Sequence, residues 1–387
     1  MQYIIEFLLF TLRKICFIIN LQITIRKGVF TLKKINVAII GQGRSGKNIH
    51  GVYFLSSSNE HYEVKYVVEL DGERRAKAEE SYPGCTALSD YRELYGKNDV
   101  DLVVNSTYSD MHFPITKDLI EHGFNVLVEK PFGRSRSECE LLIRLAKEHG
   151  VTLAVFQQSF FAPFYTFTLE KIREGILGDV KQISIRYNGF ARRWDWQTLQ
   201  KKCAGGLYNT GPHPVGLALG YLDFDRHTRV EFSRLDTALT SGDGDDYAKV
   251  ILSAPDKPVV DIEVISCDAF SDYNIKIIGS RGTLKCTTKA YKLTYIKDGE
   301  NEPREVIEES LKNERGEPIY CSEKLVKHEE SGEFSGTAFD VGTSTLYDQL
   351  YFKLTEGRKM EVTAEMARDV IGVIETVHSQ NPLPVKF

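Results

Sequence analysis

Lys130 lies between Glu129 and Pro131, directly after the apolar run at 125–128. A lysine held there can share a proton with a substrate hydroxyl, and neighbouring positive charge would lower its pKa. Pro131 confines Lys130 to extended backbone, and the bond between them is a candidate for the cis form, which would aim the side chain. Taken alone, the tripeptide reads as an exposed lysine before a loop proline. A second cluster, Gly205-Gly206-Leu207-Tyr208-Asn209-Thr210-Gly211-Pro212-His213-Pro214, sets Asn209 and His213 four residues apart. On a helical turn that spacing projects both from one face, and Pro212 suits a first turn. Histidine titrates near neutrality and can pass a proton to or from Lys130 or a hydroxyl. A histidine merely packing at a helix start is the structural alternative.

The third cluster is Gly41-Gln42-Gly43-Arg44-Ser45-Gly46, preceded by the apolar run at 35–40. Gly41 suits a tight turn, Gly43 allows the backbone to approach a pyrophosphate, and Gly46 permits close helix–strand packing. A helix opening behind them would offer free N–H groups and a positive dipole end to phosphate. A second strand, expected at 64–70, ends at Asp71, about 25 residues past Gly46, near where a ribose-binding carboxylate is expected. A carboxylate there bonds a 2′-hydroxyl and repels a 2′-phosphate, so NAD is expected over NADP; Arg74 and Arg75, close behind, are the features that could favour the phosphate. In Arg192-Arg193-Trp194-Asp195-Trp196-Gln197, flat rings stand beside bidentate donors and acceptors. That mixture suits a polyhydroxylated ligand, the rings covering C–H surface and the charges binding hydroxyls; a packing or subunit-contact loop is the alternative.

These clusters need a frame, and the pattern supplies one. Strands are expected at 35–40, 64–70, 100–105, 125–128 and 151–156. Helices are expected at 73–81, 87–95 (short, after a possible small strand), 113–122 and 137–149. Alternation of this kind implies right-handed crossovers and a doubly wound parallel sheet, whose ligands sit beyond the carboxyl ends of the strands. The glycine turn, Asp71, residues 105–108 and residues 129–131 then share one edge. Further on, strand-like runs at 180–187, 247–252, 259–267, 274–278 and 283–287 imply a mostly antiparallel sheet. Helices are expected there at 164–174, 212–222 and 364–379. Residues 298–333, charged and poor in apolar side chains, read as a solvated insertion. The fold class is thus an α/β Rossmann domain followed by an α+β domain with a large open sheet. The boundaries are 34–156 for the first and 157–387 for the second, with the last helix able to pack back on the first.

Composition excludes several classes. An apolar fraction of 42%, a charged fraction of 27% and a net charge of −5 describe an ordinary globular chain without the basic face a nucleic-acid partner favours. Seven scattered cysteines without CxxC or Cys/His spacing suit a reducing cytoplasm and suggest no structural metal. Residues 1–33 are apolar but interrupted by charge, short of the roughly 18 apolar residues of a membrane span. They lack the basic start and cleavage site of a signal peptide. Two readings stand: a native extension, or translated upstream sequence, with Leu32 encoded by an alternative start codon.

Together the motifs resemble the Gfo/Idh/MocA oxidoreductases, the group of glucose–fructose oxidoreductase and myo-inositol dehydrogenase, from about Lys34 to Pro382. The resemblance rests on the glycine fingerprint, the strand and turn at 103–112, Glu129-Lys130-Pro131, Gly175-Ile176-Leu177-Gly178, Asn209 with His213, the run 278–283 and Tyr347-Asp348. It implies Lys130 and His213 as the catalytic pair with Asn209 in support, and Ser106, Thr107, His112, Glu129 and Lys130 beside the cofactor. The substrate would meet Lys130, Arg193, Trp194, Trp196, Asn209 and His213. The Asn209 position is often aspartate in the family. Asparagine brings no charge to raise the histidine pKa, which moves the main proton-transfer role toward Lys130. Tyr108 stands where many relatives have proline. The implied activity is NAD-dependent hydride transfer at a secondary alcohol of a sugar, glycoside or cyclitol, with C3 of a glucoside as the candidate position. The implied assembly is a homodimer or homotetramer, without nucleic acid or membrane. A redox-neutral glycoside hydrolase retaining NAD and a non-catalytic NAD-binding sensor are the rival readings.

Overall fold

The computed structural model describes residues 34–387, so both readings of the first 33 residues fall outside it. Six strands, β1 (Ile35–Ile40), β2 (Tyr62–Val68), β3 (Thr86–Leu88), β4 (Leu102–Asn105), β5 (Val126–Val128) and β6 (Leu153–Val155), form a parallel sheet in the order β3-β2-β1-β4-β5-β6. Strands β4 and β5 are buried at every residue, as helices on both faces demand of a parallel sheet. The register aligns the strand ends: Ile40 pairs with Val68 and Asn105, and Val128 pairs with Asn105 and Val155. Gly41, Glu69, Ser106 and Glu129, each one residue beyond its strand, therefore lie along one edge.

Local chemistry ends the helices where that edge needs loops. Ser135 accepts from the Glu138 N–H to start Arg136–His149, which stops at Gly150 in the left-handed region (φ 68°). Asp71 accepts from the Arg74 N–H and caps Gly72–Ser81. Two expectations change here. The helix behind the glycines contains a π-helical turn, Gly46–Gly51, and two of its glycines sit at close approaches. A Cβ on Gly46 would lie 1.9 Å from the Gly41 carbonyl oxygen, and one on Gly51 would lie 2.3 Å from the Tyr82 hydroxyl. The helix expected at 87–95 is only strand β3 and one 3₁₀ turn, Tyr91–Leu94, held by a capping box between Asp90 and Glu93.

The second sheet contains β7 (Val180–Arg186), β8 (Arg229–Asp236), β9 (Tyr247–Ser253), β10 (Val259–Ile265), β11 (Ile275–Gly279), β12 (Gly282–Cys286), β13 (Ala290–Tyr295) and β14 (His328–Glu333). Their order is β14-β13-β12-β11-β7-β10-β9-β8, antiparallel except for β7 with β10. Alternate residues Ala248, Val250 and Leu252 of β9 and Val260, Ile262 and Val264 of β10 are buried, and helix Pro212–Tyr221 packs against β7 and β10. The other face of these strands carries Arg186, Lys249, Asp261 and Glu263 in one ion-pair network, with contacts of 2.5–2.8 Å. The stretch 298–333 is not wholly an insertion: its last six residues are the edge strand β14, paired with β13. Their sequence, HEESGE, carries the charges of an exposed edge, which hide a strand from any hydrophobic pattern. Helix Ala364–Gln380 packs on both Arg136–His149 and Pro212–Tyr221, with the Arg136 N–H donating to Glu375 (2.9 Å) and its guanidinium pairing with Asp369 (3.1 Å).

Candidate active site

The glycine loop leaves its backbone open at the strand-end edge. Gly41 takes φ +89°, donates its N–H to the Val68 carbonyl (2.8 Å), and would bring a Cβ to 2.8 Å from the Ser106 carbonyl oxygen. Gly43 is exposed and has nothing within 4 Å of where a Cβ would stand, so its backbone is open to an incoming phosphate. Arg44 is exposed and Ser45 half-buried beside it. The buried Gln42 amide nitrogen has no partner within the protein, the signature of a site awaiting an acceptor. Ser106 Oγ lies 2.8 Å from the Ile40 carbonyl oxygen and 3.0 Å from that of Gly41, pinning the turn.

The acid expected at the ribose, Asp71, stands two residues past the strand-end row. Asp71 is exposed and committed to the helix cap, and the Arg74 N–H lowers its pKa. The acid on the strand-end row is Glu69, buried, accepting from the Gln42 N–H (2.7 Å) and the Asp71 N–H (3.0 Å), with the Arg74 guanidinium 3.3 Å away. Its signal in the sequence was available: it follows β2 directly and lies nearer than Asp71 to about 20 residues from the last glycine. Arg75 donates to the Glu69 carbonyl oxygen (2.7 Å).

Beyond β4, Thr107 Oγ1 donates to Asn105 Oδ1 (2.7 Å), and Asn105 Nδ2 reaches Thr116 Oγ1 (3.0 Å) and the His112 carbonyl oxygen (3.2 Å). His112 is buried, and its Nδ1 lies 2.7 Å from the Pro131 carbonyl oxygen. A neutral ring has one N–H. The shorter contact assigns it to Nδ1, so His112 braces the Lys130–Pro131 corner, whose peptide bond is cis. Burial pushes the His112 pKa down, which keeps the ring neutral.

Lys130 is half-buried, and its Nζ donates to the Asn209 carbonyl oxygen (3.0 Å), joining the end of β5 to the short helix Gly206–Asn209. Burial lowers its pKa; the Glu129 carboxylate opposes this, and the charges of Arg44 and Arg193 reinforce it. Asn209 Nδ2 donates to the Gln197 carbonyl (2.6 Å), leaving Oδ1 buried without a partner. His213 Nδ1 faces Ser159 Oγ (3.1 Å), and burial together with the Lys130 charge holds its pKa near 3. The near-neutral titration expected of His213 is therefore corrected. The ring is uncharged throughout the neutral range and can donate or accept a hydrogen bond there without carrying a proton away.

A cleft of about 190 Å³ opens beside this group, with Asn188, Arg193, Gln197, Asn209, Thr210 and Asp245 among its walls. The residues expected to meet substrate divide. Arg193 and Asn209 face the cleft, and Lys130 is tied to its wall through Asn209. Trp194 is 80% exposed, and Arg193 also pairs with Asp195 (2.8 Å). Trp196 packs edge-on against Tyr108 (4.8 Å), itself covered by the Lys202 ammonium, so Tyr108 serves as a packing surface where a proline was the alternative. Asp245, absent from the sequence reading, is fully buried and accepts from the Leu207 N–H (2.7 Å), while its own carbonyl accepts from the Gly206 N–H (2.6 Å). It holds the turn that presents Asn209. Gly205, at φ +119°, is required there, since a Cβ would fall 2.3 Å from Asp245 Oδ1. Among the described residues, no cluster of ligating side chains could hold a metal ion, and no helix is long and apolar enough to cross a membrane.

Comparison with known proteins agrees with this geometry. Residues 35–157 match the model of the oxidoreductase family with an NAD-binding Rossmann fold, and residues 168–285 match the GFO/IDH/MocA C-terminal domain. The uncharacterized oxidoreductase YdgJ of Escherichia coli is 28% identical over 70% of this chain and 76% of its own length. The scyllo-inositol 2-dehydrogenase (NADP(+)) IolW of Bacillus subtilis is 27% identical over 51% of this chain and 54% of its own. GenD2 from gentamicin A biosynthesis, solved in complex with NAD, shares the fold at a TM-score of 0.70 and 20% identity, over 91% of this chain and 95% of its own. With a glycine turn open to phosphate, a lysine at the strand edge and both family models matched in order, the chain belongs to the Gfo/Idh/MocA family of NAD-binding oxidoreductases.

Proposed function

We propose that this chain moves a hydride between a secondary alcohol of a sugar, glycoside or cyclitol and the nicotinamide of NAD, with Lys130 handling the hydroxyl proton. One observation carries the reading: the Lys130 ammonium, on the same strand-end edge as the glycine turn, is bonded to the carbonyl oxygen of Asn209, a residue that lines the cleft. Bound at the turn, the dinucleotide supplies the hydride acceptor, and the rest falls to side chains. Asn209 Oδ1 accepts from a substrate hydroxyl. Arg193 donates to others. Lys130, its pKa lowered by burial, takes the proton from the reacting hydroxyl as the carbon loses hydride, and the Glu129 carboxylate offsets the charge that forms. His213 stays neutral and orients the same oxygen. C3 of a glucoside is the ring position proposed for the transfer.

Cofactor choice follows from the ribose end. Arg74 is drawn to Glu69 and Arg75 to a backbone carbonyl, so both guanidinium groups are already engaged, and the carboxylates of Glu69 and Asp71 would repel a 2′-phosphate. NAD is favoured over NADP. The polar outer face of the second sheet is the surface proposed for a homodimer or homotetramer, and the free thiols suit a reducing cytoplasm. A panel of sugars, glycosides and cyclitols, followed by absorbance of reduced cofactor, tests the reading. Turnover of glycosides without net reduction would point to the hydrolase, and tight NAD binding without any turnover to the sensor.

A further inference from the structure

The glycine-motif helix, the end of β5 and helix Thr343–Glu356 meet at one imidazole, that of His50, which is wholly buried. Its Nε2 lies 3.2 Å from Glu129 Oε1 and its Nδ1 lies 2.7 Å from the Tyr347 hydroxyl. The first is an imidazole–carboxylate contact, and neither of its two atoms has another hydrogen-bond partner. The Phe156 ring seals one side at 4.5 Å. Burial favours the neutral acid at Glu129, but the His50 contact and the Lys130 charge outweigh it and hold the pKa near 2. The carboxylate can then only accept. With the imidazole neutral and its proton on Nε2 toward that carboxylate, Nδ1 is left to accept from the Tyr347 hydroxyl. Tyr347 is fixed in turn, its carbonyl accepting from the Tyr62 hydroxyl (2.7 Å) and its ring stacked on Tyr53 at 4.4 Å. At the other end, Glu129 Oε2 accepts from the Lys130 N–H (3.1 Å).

We infer that Tyr347 and His50 form a positioning relay that fixes the Glu129 carboxylate and, through it, the placement and charge state of Lys130. Neither relay residue touches substrate. The inference rests on the reading of Lys130 as the proton carrier, and the relay makes helix Thr343–Glu356 part of the redox site although it contributes no side chain to the cleft. With His50 unable to donate, a buried Glu129 takes up a proton, and Lys130 loses the negative charge that opposes its desolvation. The remaining charges facing Lys130, Arg44 and Arg193, both disfavour its ammonium, while His112 and His213 are neutral. Lys130 then deprotonates at lower pH.

Two readouts test this on the full chain: the pH profile of kcat, and the pH dependence of Lys130 acetylation by acetic anhydride, read by mass spectrometry without substrate. In His50→Leu both midpoints should move to about tenfold higher proton concentration, with NAD affinity kept within about threefold. His50→Gln, which retains an N–H toward Glu129, should restore most of the shift. Tyr347→Phe removes only a hydroxyl and should shift both midpoints the same way by less, which covers the case of a His50→Leu chain that does not fold. Unmoved acetylation midpoints in the folded variants would overturn the relay. A moved acetylation midpoint beside normal turnover of Lys130→Met would sink the redox reading and leave the relay standing.

Discussion

Lys130→Met is the perturbation that separates chemistry from architecture. Methionine nearly matches the lysine stem in length and tolerates irregular packing, so the wall of the cleft keeps its shape. Two things are lost: the hydrogen bond from Nζ to the Asn209 carbonyl oxygen, and the proton acceptor. The bond is charge-assisted and worth about 1.5–3 kcal/mol. Removing it also removes the cost of burying an ammonium whose pKa burial has already lowered, so the net change in stability is about 1 kcal/mol or less in either direction. The kinetic loss is of a different size. A positioned general base contributes about 10²–10⁴ in rate, or about 3–5 kcal/mol of barrier. The assay is kcat on the best alcohol of the panel, with NAD affinity by fluorescence titration and stability by urea unfolding. The expected result is a kcat at least about a hundredfold lower, with NAD affinity and unfolding midpoint nearly unchanged. A variant retaining more than about a tenth of wild-type kcat would refute the role of Lys130.

Other outcomes follow from the same geometry. Gly46→Ala would force a methyl to within 1.9 Å of the Gly41 carbonyl oxygen, a backbone atom that cannot swing aside. It should cost about 1–3 kcal/mol in urea unfolding and most of the NAD affinity. Glu129 has a folded pKa near 2 against 4.5 ordinarily, a depressed carboxylate, so its contribution is present above pH 4.5 and is lost as pH falls toward 2. Glu129→Gln should flatten the fall in stability across that window, a difference of about 3 kcal/mol in acid unfolding. Asp245 carries the opposite sign: burial raises its pKa from 3.8 to about 7, so its contribution is full below 3.8 and is lost as pH rises through 7. Asp245→Asn keeps the acceptor for the Leu207 N–H and should raise stability more at pH 8 than at pH 5, measured by thermal unfolding at both.

What could be read from the chain alone was whatever is written in local pattern. Continuous apolar runs such as LVVN and VLV announce strands buried on both faces, and Ser135 and Gly150 bracket a helix by capping chemistry that needs no distant partner. The glycine spacing and the Lys130–Pro131 corner are equally local, since the φ range of Gly41 and the restriction before Pro131 are properties of the residue types themselves. The edge strand β14 was hidden because a strand exposed on both faces has no alternation to show. The working parts of the site needed the fold. His50 and Tyr347 lie 297 residues apart, Lys130 and Asn209 are separated by 79, and Glu69 meets Gln42 across 27. Nothing in the composition of these residues says that they touch. His213 makes the point most directly: an imidazole by sequence titrates near neutrality, and only its burial beside the Lys130 charge turns it into a group that stays neutral. Residue type sets which chemistry is available, but desolvation and distance set which of it occurs, and both are properties of the packed chain.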